Sequence, residues 1–221
     1  MLRSEFHADL QKLQDDLLNL GSMVEKATIK AIDALKTRDL SLSRQVIEED
    51  DVIDDIRYEI EARCEDLIAK QQPLATDLRL IIAIMHIVGE LERIGDYAEG
   101  VAKISLAMGD EAPLKPLIDI PRMAQKASLM TRQSLDALVE RDVDLAITVA
   151  ESDDEVDALY DQIFRELVTF MIEDPRTIQR ATYLLWVAHD LERIADRATN
   201  IAERVVYLVT GELSKLKEIF P

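Results

Sequence analysis

Four pairs of carboxylates stand four residues apart in this chain: Asp50/Asp54, Glu92/Asp96, Asp153/Asp157 and Glu192/Asp196. Residues at that spacing share one face of a helix, so each pair projects two like charges side by side. The repulsion costs roughly 0.2–0.5 kcal/mol per pair even in water. A cost that recurs calls for a partner that offsets it. Carboxylates from adjacent helices supply oxygen ligands suited to a hard cation such as Mg, Mn, Ca, Fe or Zn. The competing reading is that Arg93, Arg193, Arg197 and Arg204 neutralise these acids in salt bridges.

Two stripes extend the pairs at steps of three or four. One continues from Glu92 and Asp96 to Glu99, and the other runs His189, Glu192, Asp196, Asn200, Glu203. All of these join the candidate ligands, with His189 either a ligand or a group orienting one. Both stripes fall within the two helices expected to be the most apolar, where an unpaired carboxylate would be costly. Asp50/Asp54 and Asp153/Asp157 carry less weight, because their helices are acidic on several faces. His86 has no counterpart in the second stripe and reads as a core or edge histidine.

Paired carboxylates can also perform acid–base catalysis, but that needs a second chemical group. No Ser/His/Asp order, reactive-cysteine context or glycine-rich phosphate loop accompanies them. Gly89, Gly95 and Gly100 do not make such a loop, since Ala195 and Asn200 replace two of them in the second copy. A carboxylate-bridged di-iron oxidoreductase would use Glu-x-x-His on two helices. Here Ala195 stands three residues after Glu192 and Gly95 three after Glu92, so that ligand set is missing. The chain is therefore expected not to be an enzyme.

The elements that must position these residues come in two copies. The run from Glu90 to Ala98 returns from Asp190 to Ala198, 100 positions later, and the run from Glu48 to Asp54 is echoed from Glu151 to Asp157, 103 positions later. The chain is a tandem duplication. In the first copy Leu10, Leu13, Leu17, Leu20, Val24, Ala27, Ala31 and Ala34 form one helical stripe. A second helix follows Arg38-Asp39, buries Leu42, Val46, Ile53, Ile56, Ile60, Cys64 and Leu67, and breaks at Gln71-Gln72-Pro73. A third runs from about Thr76 to Met108. After the Gly109–Pro116 linker the plan repeats. Asp174-Pro175 is read as an N-cap followed by proline at the first position of the sixth helix, which ends at Gly211. The fold expected is all-α, two tandem three-helix bundles over 1–110 and 116–215, packed end to end or side by side.

Composition bounds the function. Of 221 residues, 48% are hydrophobic and only 6 are Gly and 6 Pro, which suits long helices around a sizeable core. A formal charge of −18 repels phosphate backbones and so excludes nucleic acid as a partner. It fits solubility, metal cations or cationic partner surfaces. Cys64 is the single cysteine, a small core residue compatible with a reducing compartment. No apolar signal core begins the chain, and the most apolar stretch, Leu80–Val88, is far short of the ~20 residues that span a bilayer. Any membrane role would be peripheral.

At the repeated Glu-Arg-Ile-Gly/Ala-Asp motif the chain resembles the PhoU family of bacterial phosphate-uptake regulators. The resemblance covers nearly the whole length and takes in Glu92/Asp96, Glu192/Asp196 and the continuation Asn200-Ile201-Ala202-Glu203. The first copy departs from it, with Glu99-Gly100-Val101-Ala102-Lys103 at that point, which puts symmetrical metal loading of the two halves in doubt. The resemblance implies a cytoplasmic, non-enzymatic, commonly homodimeric adaptor that reaches the membrane only through partners. Those partners would be the ATPase subunit of the phosphate ABC transporter and a phosphate-sensing histidine kinase, and the outcome would be repression of the phosphate-starvation response. It also implies divalent or trivalent metal ions, in some members multinuclear Fe or Zn, on the repeated acidic motif. A plain helical scaffold without metal is the alternative that the spacing alone leaves open.

Overall fold

A computed structural model describes residues 2–212, with side chains from residue 5 onward. Six helices account for nearly all of it: α1 (Leu2–Thr37), α2 (Leu40–Gln71), α3 (Ala75–Met108), α4 (Asp119–Glu140), α5 (Val143–Glu173) and α6 (Ile178–Thr210). No strand occurs among the described residues. The expected boundary of the second repeat at 215 lies outside the described residues.

The breaks follow local chemistry, and the first is duplicated. Arg38 and Arg141 adopt the left-handed conformation, φ 60° and 54°, and end α1 and α4. The aspartate after each caps the next helix. Asp39 accepts from the Ser41 and Leu42 amides at 3.0 Å, and Asp142 from the Leu145 amide at 3.0 Å. Gln72, φ 45°, closes α2 before Pro73, and Gly211, φ 79°, closes α6. The start of α6 differs from the sequence expectation. Asp174 caps a separate 3-10 turn, Pro175–Thr177, and α6 begins only at Ile178. The turn is pinned by the Thr177 hydroxyl, which donates to the carbonyl of Asp174 at 2.7 Å.

Helices α1, α2 and α3 pack on one another, as do α4, α5 and α6, and the halves join side by side through α3 with α6 and α1 with α4. One continuous core runs through both halves, with Leu91, Ile94, Leu191 and Ile194 wholly buried in it. Full burial of each such side chain contributes roughly 1.5–3 kcal/mol. The start of the linker is tied to both halves, with Arg38 donating to the Asp110 carbonyl and Arg180 to the Ala112 carbonyl, each at 3.3 Å. Buried Lys115 pairs with Glu166 of α5.

Helices α3 and α6 run antiparallel: Glu90 meets Asn200, Tyr97 meets Arg193 and Gly100 meets Asp190. Because equivalent residues are 100 positions apart, the first and last of these contacts exchange on swapping the repeats. A local twofold axis therefore passes between the helices near Gly95 and Ala195. No described helix is long and apolar enough to cross a membrane.

Candidate metal centre and the seam between repeats

In the first repeat the candidate carboxylates converge from two helices. Buried Asp50 and half-buried Asp54 come from α2, and Glu92, Asp96 and Glu99 from the facing side of α3. Gly95 permits the approach. A Cβ there would stand 2.9 Å from Asp50 Oδ1 and 3.2 Å from Ile53 Cγ2. Burial, reinforced by Glu99, Asp96 and Asp54, pushes the Asp50 carboxyl up to about 7, against the pull of Lys103. Asp96 is also raised, by burial and then by Asp54 and Glu99. Glu92 is raised by burial and Asp96, with Arg57 opposing. Asp54 Oδ1 is buried without a hydrogen-bond partner. Two cations reach the cluster edge: Arg57 lies 3.4 Å from Glu92, and Lys103 lies 2.5 Å from Glu99.

The second repeat is balanced differently. Asp153 is 1% exposed, Asp157 is exposed, and Glu192 and Asp196 are half-buried. Burial raises the Glu192 carboxyl, with Asp196 adding and His189 and Arg193 opposing. Asp196 is held by Arg193 at 2.8 Å, with Arg197 at 4.0 Å. Ala195 takes the place of Gly95. His189 is exposed and packs edge-on against Tyr160, ring centroids 6.5 Å apart. Asn200 points into the α3–α6 seam, where it donates to Glu90 at 3.0 Å. Glu203 is half-buried farther along α6. Of the arginines expected to neutralise the acids, Arg193 and Arg197 reach Asp196, while Arg93 pairs with Glu90 at 3.4 Å. His86 is exposed rather than in the core.

An oxygen-only donor set, mutual repulsion among Asp50, Asp54, Asp96 and Glu99, and the orphaned Asp54 oxygen all fit a hard cation in the first repeat. Among the described residues no three His, Cys, Asp or Glu side chains yet close on one point as a metal would require.

The seam holds residues that spacing did not single out. Glu90 accepts from Arg197 at 3.2 Å and from Asn200 at 3.0 Å, and all three are largely shielded from water. Its mate across the local twofold, Asp190, faces Gly100, where a Cβ would stand 3.0 Å from Asp190 Oδ2. Burial pushes the Asp190 carboxyl up to about 6, with His189 opposing. The available signal was that the repeated motif opens on an acid, Glu90 or Asp190, one residue ahead of its leucine.

The PhoU domain family matches residues 17–105 and 120–205. The phosphate-specific transport system accessory protein PhoU homolog of Clostridium acetobutylicum is 42% identical over 219 residues, covering 99% of this chain and 100% of the relative. The accessory protein PhoU of Escherichia coli is 35% identical over 211 residues, covering 96% of this chain and 88% of its own. The crystal structure of PhoU from Pseudomonas aeruginosa superposes with a TM-score of 0.89 at 41% identity, covering 94% of this chain and 100% of that one. The phosphate transport system regulatory protein PhoU of Streptococcus pneumoniae gives 0.88 at 32% identity, covering 95% and 99%.

Proposed function

This chain belongs to the PhoU domain family, and from that premise we propose that it is a negative regulator of phosphate uptake and of the phosphate-starvation response. Its relatives are accessory proteins of a phosphate-specific transport system, which supports a role in regulating phosphate transport rather than an enzymatic one. In the finer reading it is a cytoplasmic, homodimeric adaptor. It links the ATPase subunit of the phosphate ABC transporter to a phosphate-sensing histidine kinase and meets the membrane only through them.

The adaptor also binds metal. Asp50, Asp54, Asp96 and Glu99, with Glu92 at the edge, hold a divalent or trivalent cation in the first repeat. Asp153, Asp157, Glu192 and Asp196 are the corresponding set in the second. The carrying observation is Asp50, pushed up to about 7 by burial among other carboxylates while the adjacent Asp54 oxygen is buried without a partner. A bound cation supplies the missing positive charge there, and the protein's part is to bring α2 and α3 close enough at Gly95 to share it. The second repeat, where Arg193 already neutralises Asp196 at 2.8 Å, supports a plainer salt-bridged scaffold on that side.

Elemental mass spectrometry on protein purified without chelators tests the metal reading, with Asp96→Ala/Asp196→Ala beside wild type. Metal present in wild type and lost in the variant is the expected result. Substoichiometric metal in both would refute it. Regulation is tested by deleting the gene: alkaline phosphatase should then be expressed in phosphate-rich medium, and normal repression would count against the regulatory role.

A further inference from the structure

Aromatic residues are scarce in this chain, 5% of the sequence, yet several gather on one face of α5 and α6. Tyr160 packs on Phe164 and on His189, ring centroids 6.5 Å apart in each case, and Tyr183 packs on Trp186 at 5.7 Å. Trp186 and His189 are three residues apart on α6, so the two groups share a face. Phe164 is 45% exposed and Trp186 53%. The duplication does not account for them. The corresponding positions of the first repeat hold Arg57, Glu61, Ala83, His86 and Gly89. The shared core therefore does not require aromatics here, and an exposed apolar cluster of this kind marks an interaction site.

The face is open. Helix α5 packs mainly on α4 and α6. Its α4-facing flank carries Glu155, paired with Lys126, and Gln162, bonded to Asp119. Tyr160 and Phe164 project from the opposite flank, beside α6. Along the outer edge of α5, Asp154 and Asp161 lie two turns apart on one side of the helix and are exposed. Exposed aromatics on two neighbouring helices, with carboxylates along one edge, make a surface on which a third helix can pack. That edge and the −18 charge select a cationic occupant and repel an anionic lipid surface. The Trp186 ring adds a face for a lysine or arginine.

We propose that the aromatic face of the α5–α6 pair is the docking surface for a basic amphipathic helix of a partner protein. The apolar side of that helix covers Trp186 and Phe164, and its Lys and Arg side chains meet Asp154 and Asp161. This rests on the reading of the chain as a transport-system accessory protein and assigns that role a surface.

The probe is a fluorescein-labelled 18-residue Leu/Lys amphipathic peptide, followed by anisotropy, with a Leu/Glu peptide of the same pattern as control. Wild type should bind the Leu/Lys peptide saturably and the Leu/Glu peptide at least ten-fold more weakly. Phe164→Ala/Trp186→Ala, which leaves net charge unchanged, should weaken Leu/Lys binding at least ten-fold. Asp154→Asn/Asp161→Asn should weaken it about three-fold or more. Tyr160→Ala/Phe164→Ala replaces the first pair if that pair lowers the melting temperature. Undiminished binding by the aromatic variant overturns the proposal. So does wild-type self-association in sedimentation that the aromatic variant abolishes, which gives the face to a second copy. Aromatic-dependent retention on anionic phospholipid vesicles would give it to lipid.

A second arm uses the transporter ATPase subunit and the kinase cytoplasmic region. If they bind wild type and the aromatic variant alike, the surface assignment fails and the regulatory reading stands. If neither binds wild type while peptide binding depends on the aromatics, the docking surface stands and the named partners fall.

Discussion

Gly95 and Ala195 occupy equivalent positions on α3 and α6, and swapping them tests how closely the helices approach at each site. On an exposed helix Gly→Ala stabilises by about 1 kcal/mol and Ala→Gly costs the same. Here both exchanges should destabilise. An alanine at 95 would place its Cβ 2.9 Å from Asp50 Oδ1 and 3.2 Å from Ile53 Cγ2. Ile53 is 2% exposed and has little room to retreat. Overpacking of this kind costs about 1–3 kcal/mol, which offsets the helix gain and leaves a net loss of roughly 1 kcal/mol. Ala195 is wholly buried, so Ala195→Gly forfeits the helix term and a packed methyl, about 1–2 kcal/mol together. In a chain of this size each exchange should lower the melting temperature by about 2–6 °C. Chemical denaturation of the two variants, after removal of metal with chelator, reads this directly. A Gly95→Ala protein more stable than wild type by about 1 kcal/mol would show that α2 does not press on α3 there, and the account of the Asp50 site would fail with it.

In chelator-treated protein Asp50→Asn should match wild type near pH 4 and become the more stable of the two as pH rises. The Asp50 carboxyl is raised from 3.8 to about 7, so wild-type stability falls through that window and levels off above it. Three units correspond to about 4 kcal/mol at most, and relaxation of the neighbouring carboxylates should leave about 1–3; parallel pH–stability curves for the two proteins would refute this. Glu90→Ala removes the acceptor that Arg197 and Asn200 share and should cost about 2–3 kcal/mol in urea denaturation, whereas Asp190→Asn at the mirrored position should be neutral or stabilising above pH 6. Equal losses at the two positions would show that the seam is symmetric in energy as well as in backbone.

Helix positions were legible because the signals are local. Arg38-Asp39, Gln72-Pro73 and Gly211 each act within a few residues of themselves, and stripes such as Leu10 to Ala34 need one period to be read. The start of α6 was misread because Asp174-Pro175 satisfies a 3-10 turn as readily as an α-helix, and the Thr177 amide and hydroxyl, both donating to the Asp174 carbonyl, select the turn. Side-by-side packing was among the arrangements expected, but its register was not visible. The pairing of Glu90 with Asn200 joins residues 110 apart, and no periodicity within one helix encodes it. For the same reason Asn200 looked like part of an acidic stripe while its amide serves the seam. The carboxylate pairs were found by spacing. Which of them gather depends on how nearly α2 can approach α3, and Gly95 became informative only once Asp50 was seen opposite.

The antiparallel contact of α3 with α6 has the form of an isologous subunit interface in which the Gly109–Pro116 linker joins what would otherwise be separate protomers. Joining them makes the association independent of concentration and relieves each residue of having to suit both of its appearances. Glu90 with Asn200, against Asp190 with Gly100, is what one self-complementary contact becomes when its two occurrences are free to diverge. The aromatic face of the second half and the tighter carboxylate cluster of the first are the same freedom used twice, so that one scaffold presents two unlike surfaces at a fixed distance.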